Sequence, residues 1–241
     1  MMATLIAAIV ALPFSIDGAA HAPTRTPAAF PRSGTATPPA DVRGSTAIGK
    51  NWRIEAEPPG TLVTERHGIL DIDTPKGVTL WWRQPLAGRV TISFEAMAVA
   101  AGGANDTVSD LNAFWMAGER DGGSVLDHPR SGAFAAYDDL RTYYVGIGGN
   151  RNTTTRFRRY IGTPGVRPLL PQHDLAAPAA MLVPNVWTRI RLIADGRRIA
   201  VERDGQPLFA LDDADPYTRG HFGLRTTWSH LRVRKLVVTQ R

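Results

Sequence analysis

The chain has 241 residues, a formal charge of +6, six tryptophans and no cysteine. That length suits one domain with a sizeable core. Without cysteine there is no disulfide framework and no thiolate metal site.

The first segment reads as an export signal. An apolar run, Leu5 to Phe14, is followed by Ala20-His21-Ala22, the small-residue ending that signal peptidase requires. The run is too short to span a bilayer. A signal peptide over residues 1–22 predicts a secreted or periplasmic protein. It departs from the usual pattern in having no Lys or Arg before the apolar run. Residues 23–47 are rich in Pro, Ala and Thr, lack apolar periodicity and read as a flexible leader. The folded domain is expected over residues 48–241.

From Ile48 onward the pattern is strands and turns, with almost no helical period. Residues 51–57, 61–66 and 68–74 read as strands, with His67-Gly68 as a hairpin turn. Residues 77–99 give two strands broken at Pro85. DLNAFWMAG carries apolar groups on both faces and reads as a central strand. YYVGIGGN and TTTRFRRYIG read as a hairpin around Arg151–Asn152. The run from Asn185 alternates polar and apolar residues, with hairpin turns at Asp195-Gly196 and Asp204-Gly205. GHFGLRTTW and HLRVRKLVVTQ complete the set. Short strands with frequent turns and no internal repeat predict an all-β sandwich.

Strand alternation then assigns faces. Val145, Ile147 and Phe157 look inward. Tyr144, Gly146, Gly148 and Asn150 share the opposite face, as do Arg156, Arg158 and Tyr160. Glycine weakens a strand, and close approach of a ligand is one reason to keep it. The expectation is a shallow trough floored by Gly146 and Gly148. A bulge or a crossing segment of the chain is the alternative. Asn112 is a buried amide in need of partners. Arg225, Thr227, Trp228 and His230 cluster near the end of the chain. Aromatic rings, amides and guanidinium groups together suit sugar hydroxyls, and arginine also pairs with carboxylates.

DLNAFWMAG, YYVGIGGNRNTTTRFRRY and FGLRTTWSH resemble an uncharacterised bacterial family related to the YesU-like proteins. The wider resemblance is to the concanavalin A-like lectin/glucanase superfamily, over about residues 48–241. The resemblance implies a jelly-roll β-sandwich and a role in polysaccharide degradation, and it brings no catalytic assignment. The fold hosts hydrolases, lyases and lectins alike.

Three chemistries are weighed. Retaining hydrolysis needs two nearby carboxylates. The E-x-D-x-x-E motif of laminarinase-type members is absent, Asp71 and Asp73 read as outward-facing, and Glu95, Glu119, Asp138 and Asp139 have no assigned place. β-Elimination on a uronate needs a neutralised carboxylate, a base and a proton donor. Tyr144, Tyr160 and His230 are the catalytic candidates for it. Asn112, Asn150, Asn152, Arg156, Arg158, Arg225 and Trp228 are the substrate-binding candidates. A free phenol titrates at about 10, so a tyrosine base would need help from neighbouring arginines. His230 titrates near neutrality unaided. The third chemistry is binding alone.

The expected partner is a polysaccharide, anionic to match the positive charge. Scattered charges without a recognised motif speak against nucleic acid. No membrane partner is expected, and the chain is expected to be a monomer. His67, His128, His173, His221 and His230 show no metal spacing. A structural calcium ion is common in this fold, and Asp121 to Asp127 and Asp212, Asp213 and Asp215 are the weak places for one. Residues 163–184 are expected to loop over one end of the trough, with His173 able to reach in.

Overall fold

The computed structural model describes residues 46–241. The expected signal peptide and most of the leader lie outside the described residues. A short helix, α1 (Thr46–Asn51), precedes the first strand, so the strand expected from residue 51 begins one residue later. The strands are β1 (Trp52–Ala56), β2 (Leu62–Arg66), β3 (Ile69–Thr74), β4 (Val78–Trp82), β5 (Leu86–Ala87), β6 (Val90–Ala98), β7 (Leu111–Gly118) and β8 (Arg141–Gly148). They continue as β9 (Thr154–Ile161), β10 (Asp174–Leu175), β11 (Thr188–Asp195), β12 (Arg198–Arg203), β13 (Gln206–Asp212), β14 (Arg219–Thr226) and β15 (Ser229–Gln240). Among the described residues, no helix is long and apolar enough to cross a membrane.

Two antiparallel sheets result. The front sheet runs β1-β4-β14-β7-β8-β9-β10, with β5 beside β14. The back sheet runs β13-β12-β11-β6-β15-β3-β2. His67-Gly68 and Asp204-Gly205 turn their hairpins with both residues at positive φ, as a two-residue hairpin loop of the favoured hand requires. The expected inward residues Val145, Ile147 and Phe157 are buried between the sheets. They join Leu80, Trp115 and Phe222 of the front sheet and Ile72, Ile92, Phe94 and Leu192 of the back sheet in one core. β7 is a central strand as expected, flanked by β14 and β8.

A second cluster lies on the other side of the front sheet. Residues 119–140 fold over its outer face and bury Trp81, Phe114, Tyr137, Tyr144 and Tyr160. This sheet therefore has a dry surface on both sides, which explains why β7 carries apolar side chains on both faces, with Asn112 its one polar residue.

Residues 163–184 do not roof a trough. They run along β9, add β10 to the sheet edge and then plug the side of the sandwich. His173 is buried edge-on between Phe157 and Phe209, at 4.8 and 5.7 Å between ring centres, and its Nε2 lies 3.0 Å from the Ala210 carbonyl oxygen. It closes the core rather than reaching a ligand. Phe157 also meets Trp115 at 5.8 Å. Phe157→Ala is expected to lower the unfolding free energy by about 3–5 kcal/mol, read by chemical denaturation.

Candidate functional site

Cross-strand register gathers the front sheet's outward residues into two rows. Glu55, Thr79, Arg225, Asn112, Gly146, Arg156 and Asp174 stand opposite one another across its seven strands, from β1 to β10. One pleat along, Arg53, Trp81, Gly223, Phe114, Tyr144 and Arg158 form a second row. The first row is polar and the second aromatic, and neighbours within a row are in side-chain contact range.

The β1–β4–β14 half of this face is sealed by residues 119–140. Glu55 sits at the centre of the seal. Its carboxyl oxygens accept from Trp81 Nε1, Tyr137 Oη and the Arg130 amide, each at 3.0 Å. Burial nonetheless raises its pKa above the ordinary range. Arg130 clamps the segment onto itself through Glu119, at 2.7 and 2.8 Å, and Asp139, at 3.2 Å. Arg225, expected to bind substrate, lies inside the seal. It is 3% exposed, donates to Thr79 Oγ1 at 3.1 Å and the Gly132 carbonyl at 2.6 Å, and stacks near Phe134 and Tyr137. Its guanidinium holds the covering segment down.

The β7–β8–β9 half is also covered, apart from the half-buried Arg156 and Arg158 at its β9 edge, and the glycine trough is not empty. A Cβ on Gly146 would stand 2.5 Å from Tyr144 Oη and 2.7 Å from Asn112 Oδ1. Tyr144 leans over Gly146 and donates to Asn112 at 3.1 Å. The glycine makes room for the protein's own bridge. Asn112 in turn donates to Asp110 Oδ1 at 3.4 Å, and Ser109 donates to Asp110 Oδ2. Asp110 is half-buried, at φ +58°, and burial raises its pKa. Its carboxyl had no signal in strand alternation, because it stands just before β7 in a left-handed conformation.

Arg156 and Arg158 are half-buried at the end of each row. Arg156 is held by Asp174 in a bidentate pair, at 2.8 and 3.1 Å. Arg158 donates to the Arg167 carbonyl oxygen and makes no ion pair among the described residues. Tyr160 is fully buried, 5.8 Å from the Tyr144 ring, and its hydroxyl has no hydrogen-bond partner among the described residues. Arg167 bridges the covering segments, pairing with Asp138 at 2.7 Å and lying 4.5 Å over the Phe134 ring.

Both phenols are weaker acids than free tyrosine. Burial pushes Tyr160 up to about 12, against the opposing pull of Arg167 and Arg158. Tyr144 is raised further, by burial and then by Tyr160 and Asp110. Desolvation outweighs the arginines, so these groups are donors at neutral pH and not bases.

Four expected site residues lie elsewhere. His230 is on β15 of the back sheet and points outward there, with Nδ1 at 2.9 Å from Asp106 and Nε2 at 2.8 Å from Asp71. The sandwich core separates it from Tyr144, so it cannot serve as base on the same ligand. Trp228 is exposed on the turn between β14 and β15. Asn150 and Asn152 belong to the β8–β9 turn, because β8 ends at Gly148 and residues 150–152 all take positive φ. The Asn152 amide clasps the Leu182 backbone in both directions, at 2.8 and 2.9 Å.

The remaining carboxylates are engaged. Asp71 pairs with Arg232 as well as His230, and Asp73 accepts from Asn105. Glu95, on the back sheet, is drawn down to about 2 by Arg234 and Lys235. Asp121 and Asp127 accept from backbone amides of their own turn. Asp212 pairs with Arg197, and Asp213 accepts from Arg159 and from Tyr143 Oη. Among the described residues, no group of three or more His, Asp or Glu side chains is placed to hold a metal ion.

Two outcomes follow from this geometry. Gly146→Ala forces the Tyr144–Asn112 bridge apart and is expected to lower stability by about 1–3 kcal/mol in chemical denaturation. Asp110 has a folded pKa above its ordinary 3.8, so the fold favours its protonated form and its contribution declines as pH rises through that folded value. Asp110→Asn is therefore expected to gain stability relative to the wild type between about pH 3 and pH 7 in paired denaturation curves.

Comparison with known proteins places this arrangement. A protein of unknown function with a galectin-like fold from Bacillus subtilis is 16% identical, with a TM-score of 0.62 over 81% of this chain and 92% of that one. The carbohydrate binding module CBM66 from Bacillus subtilis is 9% identical, with a TM-score of 0.54 over 79% of this chain and 96% of that one. The Ca2+/Man-bound exoplasmic/lumenal domain of VIP36 is 11% identical, with a TM-score of 0.53 over 79% and 83% of the respective chains. These likenesses establish the concanavalin A-like jelly-roll fold expected from the sequence. No curated protein matches the chain. The family described as domain of unknown function (DUF6250) matches residues 72–236, well over half of the sequence, and the chain belongs to that family.

Proposed function

We propose that the domain binds carbohydrate on the β7–β8–β9 half of its front sheet. The observation that carries this is Arg158, a half-buried guanidinium with no ion pair among the described residues, in the row that holds Tyr144. Beside it lie the unpartnered Tyr160 hydroxyl and the Tyr144–Asn112–Asp110 chain. Planar donors and acceptors around an aromatic ring suit sugar hydroxyls, and an unpaired arginine suits a uronate carboxylate. The solved structures with this fold include a carbohydrate binding module and a mannose-bound domain, which supports the same class of ligand. The apolar run Leu5 to Phe14, followed by Ala20-His21-Ala22, supports export to where polysaccharides are met.

Binding is favoured over β-elimination because the phenols are held protonated and His230 faces the other way. One observation keeps a lyase as second reading: the raised pKa of Asp110, linked through Asn112 to Tyr144. There the carboxylate would take the C5 proton of a uronate. That electron pair would form the C4–C5 double bond, and the departing C4 oxygen would take a proton from a phenol.

The test is affinity gel electrophoresis of the purified protein on polygalacturonate, alginate, xylan and galactomannan, with ultraviolet absorbance for unsaturated uronate. Retention on a uronate polymer, weakened about tenfold by Arg158→Ala, supports the binding site. Absorbance that grows with time and is lost in Asp110→Asn establishes the lyase instead. Retention unchanged in Arg158→Ala, or no retention on any of the four, overturns the proposal.

A further inference from the structure

Glu65 is in the wrong place for a carboxylate. It lies on edge strand β2 opposite Leu70 of β3, two residues from Val63, which is opposite Ile72. Val63, Leu70 and Ile72 are all buried in the core between the sheets. Alternation therefore turns Glu65 inward, at a position that suits an apolar side chain. Its Oε2 is out of contact with solvent and has no hydrogen-bond partner among the described residues. A buried acceptor without a donor is destabilising, so its presence calls for a reason outside the fold.

The surroundings supply one. Glu65 lines a cleft of about 610 Å³ together with Asn51, Trp52, His67, Trp82 and Lys235. That volume is within the usual span for small-molecule sites, about 300–1,000 Å³. The cleft opens between the β1 edge of the front sheet and the β2–β3 turn of the back sheet. Trp82 is half-exposed and is braced edge-to-face by Trp52, with ring centres 5.0 Å apart. His67 and Lys235 both stand at positive φ and shape its rim.

We propose that this cleft is a second sugar-binding site, for a neutral mono- or disaccharide unit. An unpartnered carboxylate oxygen needs a donor, and a hydroxyl or an amine could supply it. Arg234 and Lys235 line the same cleft and share the single carboxylate of Glu95, which leaves an excess of positive charge that would repel an amine. A polyol donates to Glu65 and accepts from Asn51, while its C–H face packs on Trp82. The site stands apart from the front-sheet face: β1 and β9 are separated by four strands, about 24 Å at the usual strand spacing. It does not depend on what that face binds.

The experiment is a proton–nitrogen NMR titration of the purified protein with methyl β-glucoside, methyl α-mannoside, methyl β-galactoside and xylobiose. One of them is expected to give saturable shifts of the Trp82 indole N–H and the Glu65 amide. Those shifts should need at least about tenfold more ligand in Glu65→Leu and in Asn51→Ala, and be unchanged in Arg158→Ala. Glu65→Leu should also raise Tm, since it removes the unpaired acceptor. Asn51 is exposed, so its variant keeps the test open if Glu65→Leu does not fold. The proposal is overturned if none of the four sugars gives saturable shifts at these signals, or if the shifts survive undiminished in both cleft variants.

Discussion

Burial of both faces of one sheet is the constraint that organises this protein. The front sheet packs against the back sheet on one side and against residues 119–140 on the other. A strand in such a sheet has no wet face on which to leave its polar groups, so each must find a partner inside. Glu55 finds Trp81, Tyr137 and the Arg130 amide. Arg225 finds Thr79 and Gly132. Asn112 finds Tyr144 and Asp110. The row of polar residues across seven strands is thus mostly an internal network. Only at β9 and β10 does it come partway to the surface, in the Arg156–Asp174 pair, with Arg158 of the second row beside it.

That gradient is what makes the β7–β8–β9 half interesting. Sealed and satisfied polar groups rigidify a core, whereas an unpartnered phenol beside an unpaired arginine leaves capacity for something else. The covering segments meet just there, through Arg167 and Asp138. A ligand on this face would lie against a floor fixed from below by the core and from the side by the seal. Such preorganisation limits what binding must order.

Strand alternation was readable, and it assigned Val145, Ile147 and Phe157 to the core correctly. The Asp-Gly and His-Gly turns were readable too, because few residues tolerate positive φ. What local pattern does not carry is which sheet a strand joins. Tyr144 and His230 both face away from the core, yet on opposite sides of the sandwich. Alternation gives a face relative to its own strand, and the order of strands comes from contacts distant in sequence. The glycine at 146 shows a second limit. Its absence of a side chain did signal a close approach, but the approaching group was Tyr144, two residues earlier on the same strand. Residues 119–140 were the main omission. Their hold depends on Arg130, Phe134 and Tyr137 meeting distant partners, and they have no periodicity to announce it.

The strand order has a consequence for how the chain comes together. Among the described residues, β15 links the β2–β3 hairpin to the rest of the back sheet, and β14 joins β1 and β4 to β7 in the front sheet. Both linking strands come after every other strand in the chain. While residues 219–240 are still being synthesised, the first four strands have no place in either sheet, and their apolar faces wait. Pairings such as Asp71 with Arg232 close a span of 161 residues. Contacts of that range make for slow folding. During that wait, early strands with open edges are exposed to pairing with other chains. Assembly of this sandwich is therefore a late event, completed from its carboxyl-terminal strands inward, and it rewards a cell that shields the nascent chain until they arrive.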